Sequence, residues 1–511
     1  MKQKIAQQLR QRKRKIRNRL DKRSMPEDPG PMLSPGNIHY ELSDRNHGML
    51  YGGMGAMQML VQRLALDKAI NQHLHLFKLH NPYFESDHVL NIAYNILCNG
   101  ACLEDIERLR NDEVYLDAVN ADRIPDPTTA GDFCRRFDAE EVEILQEVIN
   151  EARLKVWNQQ GPEFFNEAVI DADGTIVPTT GECKEGMGLS YKSIWGYHPL
   201  VVSLANTGEP LYLCNRSGNS TSNAQAADYL DRAAALCRQG GFEKIRFRGD
   251  TDFSQTRYLD GWDEEGITFV FGMNAMPNLV AKAETLSETA WDSLIRPPKY
   301  VIETEPRRKP VNVKERIVKE RGYQNIRLQS EQVAEFEYQP VKCRQSYRIV
   351  VLRKNLSIER GEEVLFDDIR YFFYITNDRK ASKAGIIREA NARCHQENLV
   401  EQLKNGVRAL RVPVDGLVSN WAYMVMASLA WNLKAWYALS LPSKGRGKEK
   451  RLREKKEILR MEFKKFRHFF LMLPCQLVKT GRKLVYRLLG WNEYLEVFFR
   501  AVERFRYPLR C

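Results

Sequence analysis

Arg393-Cys-His-Gln-Glu397-Asn-Leu-Val-Glu-Gln-Leu-Lys404 reads as one helix. At about 100° per residue, Arg393, Glu397 and Lys404 fall within roughly 40° of one another around its axis. Leu399, Leu403 and, further on, Leu410 project from another side and give the segment an apolar face to dock on a core. The helix therefore holds an acid toward the space that two basic side chains also address. Two more acidic sites lie upstream in strand-like segments, Ala168-Val-Ile-Asp171-Ala-Asp173-Gly-Thr175 and Lys244-Ile-Arg-Phe-Arg248-Gly-Asp250. Three carboxylates from two strands and a helix would form a cluster suited to divalent metal, because hard cations take oxygen ligands.

Around these segments, 511 residues are enough for a full core and two to four structural units. The formal net charge is +12, and basic residues crowd the first 24 positions, Arg307 to Arg321, and Lys444 to Lys483. Three separated basic segments point to a long polyanion as partner, whereas one run alone would read as a solvated face. No apolar run reaches the roughly 20 residues of a membrane span, and the basic N-terminus is not followed by an apolar segment. A cytoplasmic protein with no membrane partner is expected. Ten cysteines without a CxxC pair or a Cys/His set at zinc spacing imply reduced thiols and no zinc, and Cys98 and Cys102 read as buried small residues.

Residues 1–52 read as a basic arm and linker. The first 24 could form a helix if neutralised and are otherwise expected to be mobile, and Pro26, Pro29, Gly30, Pro31, Pro35 and Gly36 make the rest irregular. Residues 53–163 read as a helical DNA-binding domain, with apolar spacing at Met57, Leu60, Val61, Leu64 and at Val89, Leu90, Ala93, Leu97. Asp122 to Phe137 looks like a proline-led turn, a Thr cap and a basic helix presenting Thr128, Arg135 and Arg136. A plain helical bundle with unspecific arginines accounts for it equally well.

Residues 164–273 change period. Strands are expected at 168–177, 198–206 and 210–216, then a helix Asn223–Arg238, a strand to Asp250, a short helix Thr256–Glu264 and a strand from Thr268. This order describes an α/β mixed sheet covered by helices. Residues 274–378 read as a β-rich insertion, 379–440 as the last part of the core with the Glu397 helix, and 441–511 as basic helices. The chain from 379 onward is expected to be helical, broken by Pro413 and the loop from Pro442 to Gly447.

Taken singly, each acid has a plain reading. Val169, Asp171, Asp173 and Thr175 share one strand face, where two acids repel unless a cation is near; alone, that strand reads more simply as a solvated edge turning at Asp173-Gly174. Asp250 falls at the C-terminal end of a core strand, where α/β sheets present functional groups, and Asp252 is expected to cap the next helix. Glu397 alone is a surface acid paired with Arg393, worth a few tenths of a kcal/mol. Together they suit phosphoryl displacement, which two metal ions roughly 3.5 to 4 Å apart can clamp.

The ordered set Ile170-Asp-Ala-Asp173-Gly-Thr, Gly196-Tyr-His-Pro-Leu200, Arg248-Gly-Asp250-Thr-Asp-Phe253 and Arg393-(3)-Glu397-(6)-Lys404 resembles the bacterial insertion-sequence DDE transposases, and within them transposase DDE domain group 1, from about Gly53 to Trp491. The resemblance implies an RNase H-like (retroviral-integrase-like) mixed sheet with a β-rich insertion, flanked by N- and C-terminal helical regions. It implies Asp173, Asp250 and Glu397, the last in preference to Glu401, as catalytic acids and ligands of Mg²⁺ or Mn²⁺, with two ions. Because the first motif is doubled, Asp171 stands as an alternative ligand. Arg393, Lys404 and Arg248 would contact DNA. The signature Tyr-(2)-Arg-(3)-Glu-(6)-Lys has Ala390 at its first position, which puts one DNA-end contact in doubt. His198 is assigned a structural role. The implied activity is cut-and-paste transposition by a paired-end homodimer that binds terminal inverted repeats and target double-stranded DNA, associated with the bacterial nucleoid. Lys448 to Lys456 and Lys464 to Arg467 would serve phosphate contact or dimerisation. A non-catalytic DNA-binding protein of transposase descent, or an RNase H-like nuclease that only hydrolyses, would carry much the same residues.

Overall fold

The computed structural model describes residues 3–21, 38–40, 46–80, 82–296, 313–360, 363–443, 445, 447–481 and 483–507, and for 363–367 the backbone only. The proline-rich stretch from Pro26 to Gly36, Arg307 to Lys309 and Lys444 lie outside the described residues.

Five strands build the sheet that carries the acids: β1 (Ala168–Gly174), β2 (Leu200–Leu204), β3 (Glu209–Cys214), β4 (Ile245–Gly249) and β5 (Thr268–Met273). Their spatial order is β3-β2-β1-β4-β5, antiparallel through β3, β2 and β1 and parallel from β1 through β4 to β5. The mixed, helix-covered sheet expected of an RNase H-like domain is therefore present. Apolar and β-branched runs such as Val201-Val202 and Phe269-Val270-Phe271 make these strands, buried on both faces as central strands must be. β1 is among them: Ile170 and Ala172 are fully buried and so is Asp171, so the solvated-edge reading of this strand does not hold.

The β-rich stretch supplies three long strands, β6 (Gln324–Tyr338), β7 (Tyr347–Arg360) and β8 (Glu363–Thr376). They form a meander whose last strand adds antiparallel to β5, Phe373 facing Met273 and Thr376 facing Val270. With the short strand Asp292–Ser293 against β6, the whole is one nine-stranded sheet, so the insertion extends the core sheet.

Helix α1 (Gln3–Arg19) precedes everything else. The basic stretch expected to be mobile is docked: Leu9 is buried, and Arg12 Nη1 donates to the carbonyls of Leu488 (2.9 Å) and Gly490 (2.8 Å). From Met54 to Trp157 the elements among the described residues are all helices, the last being α2 (Ala139–Trp157). The helix Pro127–Arg135 is capped by Asp126, whose carboxylate accepts the Thr129 N–H at 3.0 Å, in place of the expected Thr cap. Helix α3 (Ala226–Gln239) packs on β1, β2 and β4; α4 (Lys383–Asn391) packs on β5 to β8; and α5 (Cys394–Glu401) packs on β1.

Helix α6 (Leu417–Leu439) is buried almost throughout and packs on α2, β3 and the helix Glu85–Leu97. None of the described helices is long and apolar enough to cross a membrane. After it the chain is not all helix, contrary to the sequence expectation. Cys475–Thr480 and Lys483–Leu488 form an antiparallel hairpin, to which Gly48–Met49 adds as a third strand. Cys475 and Leu477 are buried while Gln476 and Val478 between and after them are partly exposed, a period of two that suits a strand. Helix α7 (Leu495–Phe505) closes the fold against α1. The described cysteines are all free; Cys98 is buried, but Cys102 is exposed.

Candidate active site

Asp171 and Arg248 face each other in the parallel β1–β4 register. Arg248 Nε and Nη2 each reach one Asp171 oxygen at 2.7 Å, and Nη1 reaches Glu389 Oε1 of α4 at 2.9 Å. Both partners are buried. This forked pair engages both Asp171 oxygens and the whole Arg248 guanidinium within the protein. The pair holds β1, β4 and α4 together beneath the site.

The β1–β4 ladder ends at that pair, and two residues further along each chain stand Asp173 and Asp250, near enough for their charges to oppose each other. Asp250 caps the turn Thr251–Phe253, its Oδ1 accepting the Asp252 N–H at 2.9 Å; Asp250, not Asp252, is the cap. Gly249 is required because a Cβ there would sit 2.6 Å from Phe253 Cβ.

The third acid arrives on α5, which is anchored by a residue that sequence reasoning missed. Gln396 is buried; its Oε1 accepts from Ser203 Oγ and its Nε2 donates to the Val201 carbonyl at 3.0 Å. Val201 and Ser203 are the β2 partners of Asp173 and Asp171, so the helix is pinned over the acid-bearing strand. The signal was a serine inside the apolar run Leu200-Val-Val-Ser-Leu204. Leu399, Leu403 and Leu410 are buried as expected. The α-helix gives way at Gln402–Gly406 to a π-turn, a distortion common at functional sites. Lys404 on that turn donates to the Ile176 carbonyl at 3.3 Å, beside the end of β1.

Arg393 stands among the acids: Nη1 is 3.2 Å from Asp173 Oδ2 and 3.9 Å from Asp250 Oδ2, and Nη2 is 3.8 Å from Glu397 Oε1. Among the described residues no three of His, Cys, Asp and Glu lie close enough to share a metal ion; the acids instead surround one guanidinium. Burial pushes the Asp173 carboxyl up to about 6, Asp250 and Glu397 adding to the shift and Arg393 opposing it. Burial likewise raises Asp250, again opposed by Arg393. The three acids are oxygen ligands of the kind a hard divalent cation takes, and could hold one only with Arg393 displaced.

His198 is buried, its Nδ1 donating to the Ser220 carbonyl at 2.9 Å, and burial lowers its pKa, leaving it a neutral hydrogen-bonder. Ala390 packs at the margin of the apolar cluster of Val270, Val350, Ile386 and Ile387. Thr128, Arg135 and Arg136 are exposed on the helical region. Arg135 pairs with Asp132 and Asp415, both at 2.9 Å, and Arg136 lies over the Phe77 ring. Among the described residues no hydrogen bond or ion pair joins these three to the acids.

Two aspartates at the carboxyl ends of adjacent strands of a mixed sheet and a glutamate on a later helix are thus gathered around one arginine. The chain belongs to the family transposase DDE domain group 1, whose model matches residues 51–507. Among solved structures it is similar to piggyBac transposase in a synaptic complex with hairpin DNA, seen by cryo-EM, at 10% identity and a TM-score of 0.37, with 82% of this chain and 81% of that chain covered. No curated protein matches the chain.

Proposed function

We propose that this chain is the transposase of a bacterial insertion sequence, binding the terminal inverted repeats, cutting a DNA strand and joining its 3′-hydroxyl to target DNA. The observation that carries this reading is the guanidinium of Arg393 enclosed by Asp173, Asp250 and Glu397. Mg²⁺ or Mn²⁺, as two ions, would supply the Lewis acidity for in-line displacement at phosphorus. Asp173 and Asp250 hold their carboxylates at the ends of paired strands, and Gln396 keeps Glu397 above them. Arg393, released from the acids, is long enough to fork onto a phosphate oxygen of the scissile strand, and Lys404 offers a point charge beside it. The helical region before residue 163, with Thr128, Arg135 and Arg136 at its surface, reads the DNA end. The basic segments Lys448 to Lys456 and Lys464 to Arg467 contact phosphates or a second copy in a paired-end dimer.

The test uses purified protein, Mg²⁺ and linear DNA carrying this gene with its native flanks. Discrete cuts at flanking repeats are expected, with strand joining, and Glu397→Gln should reduce them by on the order of 100-fold or more while binding persists. Binding without cuts in either protein would mean a non-catalytic DNA-binding role. Cuts without joining would mean a nuclease, and cuts that survive in Glu397→Gln would place the third acid elsewhere.

A further inference from the structure

Between β1 and β2 the chain leaves the main sheet and forms a small one from Val177–Pro178, Trp195–Tyr197 and Gly188–Leu189. Its base is clamped to the loop before α6. Lys184 Nζ donates to the carbonyls of Val412 (2.6 Å) and Val414, the Glu185 N–H donates to the Asp415 carbonyl at 3.0 Å, and Tyr197 Oη donates to the Glu185 carbonyl at 2.7 Å. Its tip is a closed turn: the Ser190 N–H reaches the Ile194 carbonyl and the Ser193 N–H reaches the Ser190 carbonyl, each at 2.9 Å, with Ser193 in the left-handed region at φ 57°.

From this braced turn Leu189, Tyr191, Ile194 and Trp195 project into solvent, Tyr191 being 76% and Trp195 53% exposed. Leu189 and Trp195 are cross-strand partners and share a face. A turn needs none of these side chains to close, and clustered exposed apolar groups commonly mark a binding surface. The position narrows the partner. Ile176, whose carbonyl holds Lys404, immediately precedes Val177, and Val177 pairs with Tyr197; Trp195 lies two residues, about 7 Å, along the same strand. Lys192 at the tip has its Nζ 5.3 Å from the Tyr191 ring and is near enough to Lys404 for the two positive charges to oppose each other. The apolar tip thus stands at the lip of the acid site among cations. An apolar protein surface is poorly matched to Lys192 and Lys404, whereas a nucleotide offers a flat apolar base and an anionic phosphate together. Bases inside a duplex have their faces covered, so the matching one is unpaired.

We infer that Tyr191 and Trp195 form a stacking platform for an unpaired base of the DNA strand entering the acid site, with Lys192 on its phosphate. The inference rests on the reading of the chain as a DNA-acting enzyme.

The experiment compares full-length protein, without divalent cation, on a blunt duplex and on the same duplex with a short single-stranded tail containing 2-aminopurine. The wild type should prefer the tailed DNA by roughly 10-fold or more and change the 2-aminopurine emission. The double variant Tyr191→Ala/Trp195→Ala should lose both effects and keep its affinity for the blunt duplex, and Trp195→Phe should retain most of the preference. A tail preference that survives the double variant, or a wild type that binds both DNAs equally, overturns the platform. So does a DNA-free dimer, measured by light scattering, that the double variant abolishes, because the patch would then belong to a second copy. Failure of the wild type to bind either DNA refutes the transposase reading itself.

Discussion

Asp171 and Asp173 sit two residues apart on one face of one strand, yet their surroundings separate them. Asp171 has both oxygens hydrogen-bonded by Arg248, whereas Asp173 shares Arg393 with Asp250 and Glu397 and is 17% exposed at its side chain. Burial pushes its carboxyl up to about 6 from an ordinary 3.8, which makes folding pH-dependent. Below about pH 4 the acid is neutral in both folded and unfolded chains; through the window from 4 to 6 the native state retains a proton that the unfolded chain releases; above 6 the native state carries a buried charge. The stabilising effect of the proton is therefore lost as pH rises through 6. Asp173→Asn should be more stable than the wild type at pH 7.5, without metal, by on the order of 1–3 kcal/mol, and the gain should vanish near pH 4. Thermal melts at the two pH values check this, and an equal gain at both would show that burial of the charge is not the cause. The doubled Asp motif made the two acids hard to separate in the sequence, because their difference lies in Arg248, more than seventy positions away.

At the scale of elements, the contact of α6 with α2 and β3 depends on a buried polar knot. Glu209 and Arg153 are both fully buried and meet at 3.2 Å. Glu209 also accepts from Trp436 Nε1 (2.8 Å), Trp157 Nε1 (3.1 Å) and Thr207 Oγ1 (2.6 Å), while Arg153 donates to the Pro210 carbonyl (2.6 Å) and Asn432 Oδ1 (3.2 Å). Removing one partner of such a pair leaves a stranded charge, so Arg153→Met should cost about 3–5 kcal/mol. Glu209→Gln added to it should recover part of that loss. The midpoint of chemical denaturation measures both, and a double variant no better than Arg153→Met would argue that shape, not charge, governs the joint. The strands β1 to β5 were legible because their apolar runs are bounded by Gly, Asp and Asn. The hairpin from Cys475 to Leu488 was not, because six-residue strands among lysines and arginines carry too short a period to stand out from a basic helix.

For the whole molecule, one apolar core runs from the helix at Met54 through the sheet to α7. The net charge is +12, and α1 presents its basic residues around the single buried Leu9. Duplex binding should therefore be strongly salt-dependent. With six or more phosphates neutralised, affinity should fall by about a thousandfold or more between roughly 50 and 200 mM salt. A salt titration of binding to blunt duplex tests this, and a flat profile would remove the basic segments from the interface. By itself the sequence determined the class of fold and the family, because periodicity, turn residues and short motifs are local properties of the chain. Only the tertiary structure decided that Asp171 and Arg248 neutralise each other, that Gln396 anchors the Glu397 helix, that Arg393 occupies the centre of the acids and that the insertion prolongs the core sheet. Those facts depend on which side chains of distant segments meet, and that is set by strand register and packing.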